Sequence, residues 1–144
     1  MQMFRRVWQS LREHLGLTPR SLGQRGEAEA ARYLRRLGYK IVARGSRSHL
    51  GELDLVAVDG QTVVFVEVKT RESSSGGHPA EAVTAEKQRR LTRLGLAFLK
   101  RHGLLEYPAR FDVVAITWTE GARRPKIEHI ASAFPAMGFK GMFS

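Results

Sequence analysis

The 144-residue chain contains no cysteine. Disulfide staples, thiolate-held zinc and a cysteine nucleophile are excluded, so the fold must rest on an ordinary apolar core. No apolar run approaches the roughly 20 residues that a membrane-spanning helix requires. The N-terminus lacks the apolar stretch and small-residue cleavage site of a secretory signal, and the expectation is a cytoplasmic protein. Acids are scarce: 14 Asp and Glu stand against 24 Lys and Arg, a net charge of +10. A field of that sign attracts polyanions, either nucleic acid or anionic lipid. The glycines form no G-x-x-x-x-G-K-[ST] loop, which sets aside a P-loop ATPase. His14, His49, His102 and His129 have no metal-ligand spacing, and His78 lies alone in a Gly/Ser loop. Ser73 to Ser75 has no base in an obvious place, and Trp8, Tyr107 and Trp118 are too scattered for a base-stacking platform.

What is present is enough for one domain. Hydrophobic residues make up 42% of the chain, which supports a core without staples at this length. Residues 1–17 place Phe4, Val7, Trp8, Leu11 and Leu15 at helical spacing with Arg5, Arg6 and Arg12 between them. Residues 1–20 therefore read as a basic amphipathic helix and linker, and 21–144 as an α/β domain. An accessory role for that helix is favoured over docking on a partner or membrane surface. The spacing predicts a helix from Gln24 to Leu37 and a strand in "YKIVAR", with "GSRSH" as a loop. Strands follow over Glu52–Val58 and Gln61–Thr70, then a helix over Ala82–His102, a strand in "FDVVAIT" and a weaker one in "PKIEHI". The order α-β-β-β-α-β-β describes a mixed sheet sandwiched by helices.

The stretch "GELDLVAVDGQTVVFVEVKT" carries Glu52, Asp54, Glu67 and Lys69 among apolar residues. Asp59-Gly60 is a hairpin signal, because Gly tolerates the positive φ of a tight turn. With those two residues as the loop, Val58 faces Gln61, Asp54 faces Phe65 and Glu52 faces Glu67. The four charged residues then share one face, with Asp54 and Glu67 diagonal at roughly 7 Å between Cα atoms. Leu53, Leu55, Val64, Val66 and Val68 fall on the other face as core. Carboxylates this close resist joint ionisation unless a cation joins them. Mg²⁺ or Mn²⁺, held by such oxygens with waters and substrate phosphate, is the natural occupant. Lys69 lies on the same side, able to hold a water or meet charge on a phosphate oxygen. The competing reading is a polar strand end whose acids pair with nearby arginines. Glu27, at the N-terminal end of the inward stripe Ala30–Leu34, can reach the same place or simply serve the helix dipole.

The segments "GQRGEAEAARYLRRLGYKIVAR", "GELDLVAVDGQTVVFVEVKTR", "PAEAVTAEKQRRL" and "RFDVVAI" resemble the YraN-like family of small bacterial proteins, described as candidate endonucleases. The resemblance covers about Gln24–Thr117 and implies a restriction-endonuclease-like fold similar to Holliday-junction resolvases. It makes Asp54 the aspartate of a D…(D/E)-x-K signature, Glu67 and Lys69 its second half, and Glu27 an assisting metal ligand. Lys87 falls where the family also carries a lysine. An Asn-x-Arg segment common before "GE(I/L)D" is altered here: Gly45 replaces Asn, Arg47 is retained, and His49 stands where a basic residue is usual.

The function expected is metal-dependent hydrolysis of DNA, branched or damaged DNA included, with Asp54, Glu67, Lys69 and Glu27 at the site. Arg44, Arg47, Arg71, Lys87 and Arg90 are the candidate nucleic-acid contacts, and such phosphate contacts give affinity without sequence choice. Resolvases act as two-fold dimers, so a homodimer is an expectation by analogy. The alternative function is a non-catalytic nucleic-acid-binding module.

Overall fold

The computed structural model describes residues 20–72 and 83–136. The expected N-terminal helix and the Gly/Ser loop lie outside the described residues. Helix α1 spans Leu22–Arg36. It starts two residues earlier than the apolar spacing suggests, because Ser21 and Gln24 form a reciprocal cap. The Ser21 hydroxyl accepts from the Gln24 N–H at 3.2 Å, and the Gln24 side chain accepts from the Ser21 N–H at 3.0 Å. Strands β1 (Lys40–Ser48), β2 (Gly51–Asp59) and β3 (Thr62–Arg71) follow, then helix α2 (Ala85–Arg101) and strands β4 (Ala109–Thr117) and β5 (Lys126–Phe134). No helix among the described residues is long and apolar enough to cross a membrane.

The five strands lie in the order β1-β2-β3-β4-β5. Only β3 and β4 are parallel; the other neighbours are antiparallel. The parallel pair is joined through α2, as a parallel connection requires. One face packs Leu55, Ala57, Val64, Val66, Val114 and Ile116 against Ala30, Ala31 and Leu34 of α1. The other packs Val56, Val63, Phe65, Phe111 and Val113 against Leu91, Leu94, Phe98 and Leu99 of α2. Burial on both faces explains the near-continuous apolar runs of β3 and β4. The fold class and element order are those expected from sequence, a mixed sheet between helices.

Three local differences have physical causes. The segment read as a loop after "YKIVAR" continues as strand to Ser48, because Ser46, Arg47 and Ser48 pair with Leu53, Glu52 and Gly51. The β2–β3 turn is Gly60-Gln61 rather than Asp59-Gly60, since Asp59 pairs with Thr62. Gly60, at φ +62°, takes the first turn position, where a Gly-first two-residue turn needs it. The weak fifth strand is a full nine residues, held along β4.

Candidate metal site

Two helix starts and two strands converge beyond the last β2–β3 pair, Leu55–Val66. One step further along that register, Asp54 stands opposite Glu67. The turn sits one residue later than the dipeptide signal implied, so the pairing shifts by two and the acids become direct rather than diagonal partners. Parity is preserved, so they keep a common side. The backbone ladder opens here: the Val68 N–H donates to Asp54 Oδ2 at 2.9 Å, a side-chain bond in place of a main-chain one. Alternation in β2 also breaks at Asp54. Leu55 belongs to the core under α1, whereas Leu53 packs under α2 and does not join Leu55, Val64 and Val66 as expected.

Glu27 arrives from α1. Its neighbour Gly26 is buried against β3, where a Cβ would lie 1.9 Å from Thr70 Oγ1. Only a residue without a side chain lets the first turn of α1 settle this low on the strand. One carboxylate oxygen each from Glu27, Glu52 and Asp54 then falls within 4.8 Å of the others. Glu52 was not among the expected ligands. Its partner across the β1–β2 ladder is Arg47, whose Nε donates to Glu52 Oε2 at 3.0 Å. Glu67 lies next to this trio and is ion-paired with Lys87 from the first turn of α2. Thr84 caps that turn, its hydroxyl accepting from the Lys87 N–H at 3.2 Å.

The electrostatics follow from this arrangement. Burial, then the Glu67 charge, pushes the Asp54 carboxyl up from 3.8 to about 7, against the pull of the Val68 N–H; Glu27 adds to the rise and Lys87 opposes it. Glu27 is also raised, first by burial and then by Glu52, while Arg44 pulls it down. Among the described residues neither Glu27 nor Asp54 makes an ion pair, while Glu52 and Glu67 each have one cation. Four carboxylates thus face two ion-paired cations among the described residues, an excess of negative charge that a divalent ion would relieve. The donor set is all oxygen, with no imidazole among the three converging groups, which suits a hard cation such as Mg²⁺ or Mn²⁺.

The remaining candidates separate. Lys69 is exposed, two residues beyond Glu67 on the same strand, with no ion pair among the described residues. Arg44 lies close enough to Glu27 to lower its pKa. Its own pKa is lowered, first by desolvation and then by the like charges of Arg35, Arg20 and Arg32. Arg71 donates to Thr117 Oγ1 at 3.3 Å and so ties β3 to β4. Arg90 is exposed on α2, with its Cδ 3.8 Å from the position a Cβ on Gly51 would take. Arg47 is paired with Glu52 through Nε while its side chain stays 82% exposed, and Lys87 is paired with Glu67. The signal for Glu52 is its spacing two residues before Asp54, on the same expected face; its pairing with Arg47 depends on β1 continuing to Ser48.

A family model described as an uncharacterised protein family, UPF0102, matches residues 26–116. A UPF0102 protein of Geobacter sulfurreducens is 53% identical over 113 residues, covering 78% of this chain and 88% of its own length. One from Rhodococcus jostii is 50% identical over 114 residues, 79% of this chain and 96% of its own. One from Rhodopirellula baltica is 45% identical over 125 residues, 85% of this chain and 75% of its own. Matched by that family model over most of its length, and 45–53% identical to these relatives, the chain belongs to the UPF0102 family.

Proposed function

We propose that this protein is a divalent-cation-dependent endonuclease acting on DNA. The observation that carries the reading is the meeting of Glu27 and Asp54, from a helix and a strand, with no cation among the described residues ion-paired to either. Asp54 and Glu27 would hold the ion, with Glu67 and Glu52 completing the negative pocket. When bound, Mg²⁺ or Mn²⁺ supplies charge neutralisation at a phosphate and a lowered pKa for a nearby water. The chain's own groups do the positioning. Val68 N–H fixes Asp54 Oδ2, and Lys69, exposed beside Glu67, is placed to orient a water or meet charge on a phosphate oxygen. The mutual repulsion of Arg20, Arg32, Arg35 and Arg44 is relieved by polyanion, which supports a nucleic-acid backbone running over α1 and β1. A two-fold dimer, by analogy with resolvases, would present two such sites to two strands.

The test is cleavage of supercoiled plasmid and of a four-way junction by purified protein in Mg²⁺, Mn²⁺ or chelator. Nicking that needs metal and falls at least about 100-fold in Asp54→Ala supports the enzyme. DNA binding that persists in chelator, with no cleavage in any metal, replaces it with the non-catalytic binding module.

A further inference from the structure

Glu67 is the acid of the site with a built-in cation. Its side chain is only 11% exposed, and Lys87 pairs with it from another element while remaining 34% exposed itself. A carboxylate so enclosed needs a positive neighbour at all times, because an unpaired charge at that depth is costly. The backbone beneath Lys87 is fixed. Thr84 caps the turn, Gln88 N–H donates to Thr84 O at 2.8 Å, and the Gln88 side chain donates to Val83 O at 3.0 Å. The lysine stem has four rotatable carbons, so the ammonium can swing outward without moving the helix.

Building on the endonuclease reading, we infer that Lys87 holds the place of the divalent cation at Glu67 and is exchanged for it. A divalent ion beside Asp54 satisfies Glu67 with two charges and repels the ammonium. Lys87 then turns to the mouth of the site, on the same helix face as Arg90, where a substrate phosphate takes over as its partner. Metal binding and phosphate binding are coupled by this swap: the ion releases the cation that the substrate needs. Lys87 is on this account a positioning residue in the metal-free protein and a phosphate contact in the loaded one.

The chain has six lysines, few enough to follow singly by NMR after reductive ¹³C-methylation, which keeps their charge. Mg²⁺ titration is expected to move the Lys87 signal to a solvated position while those of Lys100 and Lys126 stay put, and to leave Lys87 unmoved in Asp54→Asn. Lys87→Met, which keeps the stem and removes the ammonium, should bind Mn²⁺ several-fold more tightly by electron paramagnetic resonance. In non-cleaving Ca²⁺ its gain in DNA affinity over chelator should be smaller than that of the unaltered protein. A Lys87 signal that does not move in saturating Mg²⁺, although the protein binds Mn²⁺ by electron paramagnetic resonance, overturns the exchange and leaves the endonuclease reading standing. Mn²⁺ bound by neither protein overturns both.

Discussion

Two carboxylates sit among the strands of one sheet and are driven in opposite directions. Asp54 in β2 accepts one hydrogen bond, from Val68, and lies beside Glu67 and Glu27; its pKa rises to about 7. Asp112 in β4 is fully buried. Burial is the largest influence on it and pushes upward, yet its pKa falls below the ordinary value. His129 Nε2 lies 2.7 Å from Oδ2, the Ser132 N–H donates to Oδ1 at 3.0 Å, and Arg110 Nε donates to Oδ1 at 3.1 Å. Arg110 also reaches Tyr39 and Asp59, and His129 stands 3.4 Å from the Tyr33 hydroxyl. Depth alone therefore does not decide ionisation; the count of donors and the sign of the neighbours do. The sheet uses a satisfied acid to hold β5 and leaves an unsatisfied one where chemistry is proposed.

The largest effect separates these roles. Removing Asp112 leaves Arg110 only Asp59 and Tyr39 among its described partners, deprives His129 Nε2 of its carboxylate, and frees Ser132, whose φ of +51° is tolerated while its N–H is bound. Asp112→Ala is expected to cost about 3–5 kcal/mol in urea unfolding. Asp54→Ala strands the Val68 N–H but relieves the crowding with Glu67 and Glu27, and should cost the metal-free protein no more than about 1 kcal/mol. Equal losses in the two variants would end the distinction between a structural and a functional acid.

The second effect perturbs one end of α1 and spares the other. Gly26 lies against Thr70 at the Glu27 end, whereas Tyr33 touches the His129 group further along the helix. Gly26→Ala must lift the first turn off β3, at a cost of about 1–3 kcal/mol. With Glu27 displaced, Mn²⁺ affinity should fall about tenfold. Adding Thr70→Ala, which removes the hydroxyl in the tightest contact, should recover part of both. Imidazole signals of His129 should stay unchanged throughout; if they shift, the two ends are not independent.

How much of this could be read beforehand follows the range of the interactions. Period-2 and period-3.6 spacing gave every described element, and the hairpin signal survived a one-residue error in the turn because a shift of two keeps side-chain parity. Glu27 and Asp54 were visible through that local logic. Glu52 falls on the shared acidic face by the same logic but is not assigned as a ligand, and its pairing with Arg47 exists only if β1 runs on to Ser48. The Lys87–Glu67 pair depends on how α2 lands on β3, which no local pattern encodes. The Asp112 network was hidden in a bulge: three residues of β5, 131–133, face Asp112 alone between the Phe111–Phe134 and Val113–Ile130 pairs. A lone Asp in "FDVVAIT" was its only trace. His129, dismissed for lacking ligand spacing, finds its partner across strands rather than along the chain.

The smallest effect is the sharpest test of the contrast, because its sign runs against ordinary mutational damage. In the folded chain Asp54 keeps its proton up to about pH 7, whereas in the unfolded chain it loses it near 3.8. Between those values the folded state holds more protons, so this group's contribution to stability falls as pH rises through the window and is flat above it. Asp54→Asn keeps the shape and an oxygen for the Val68 N–H but cannot ionise. In chelator its melting temperature should therefore match that of the unaltered protein near pH 4 and exceed it at pH 8, the gap opening through that window. Saturating Mg²⁺ at pH 8 should reverse the order, since only the carboxylate gains from the ion. The equivalent change at Asp112 should lower the melting temperature most at neutral pH, where its depressed pKa contributes in full, and least in acid as that contribution is lost. If the Asp54→Asn difference were independent of pH, the excess negative charge inferred at this end of the sheet would not exist, and the cation would have no electrostatic reason to bind there.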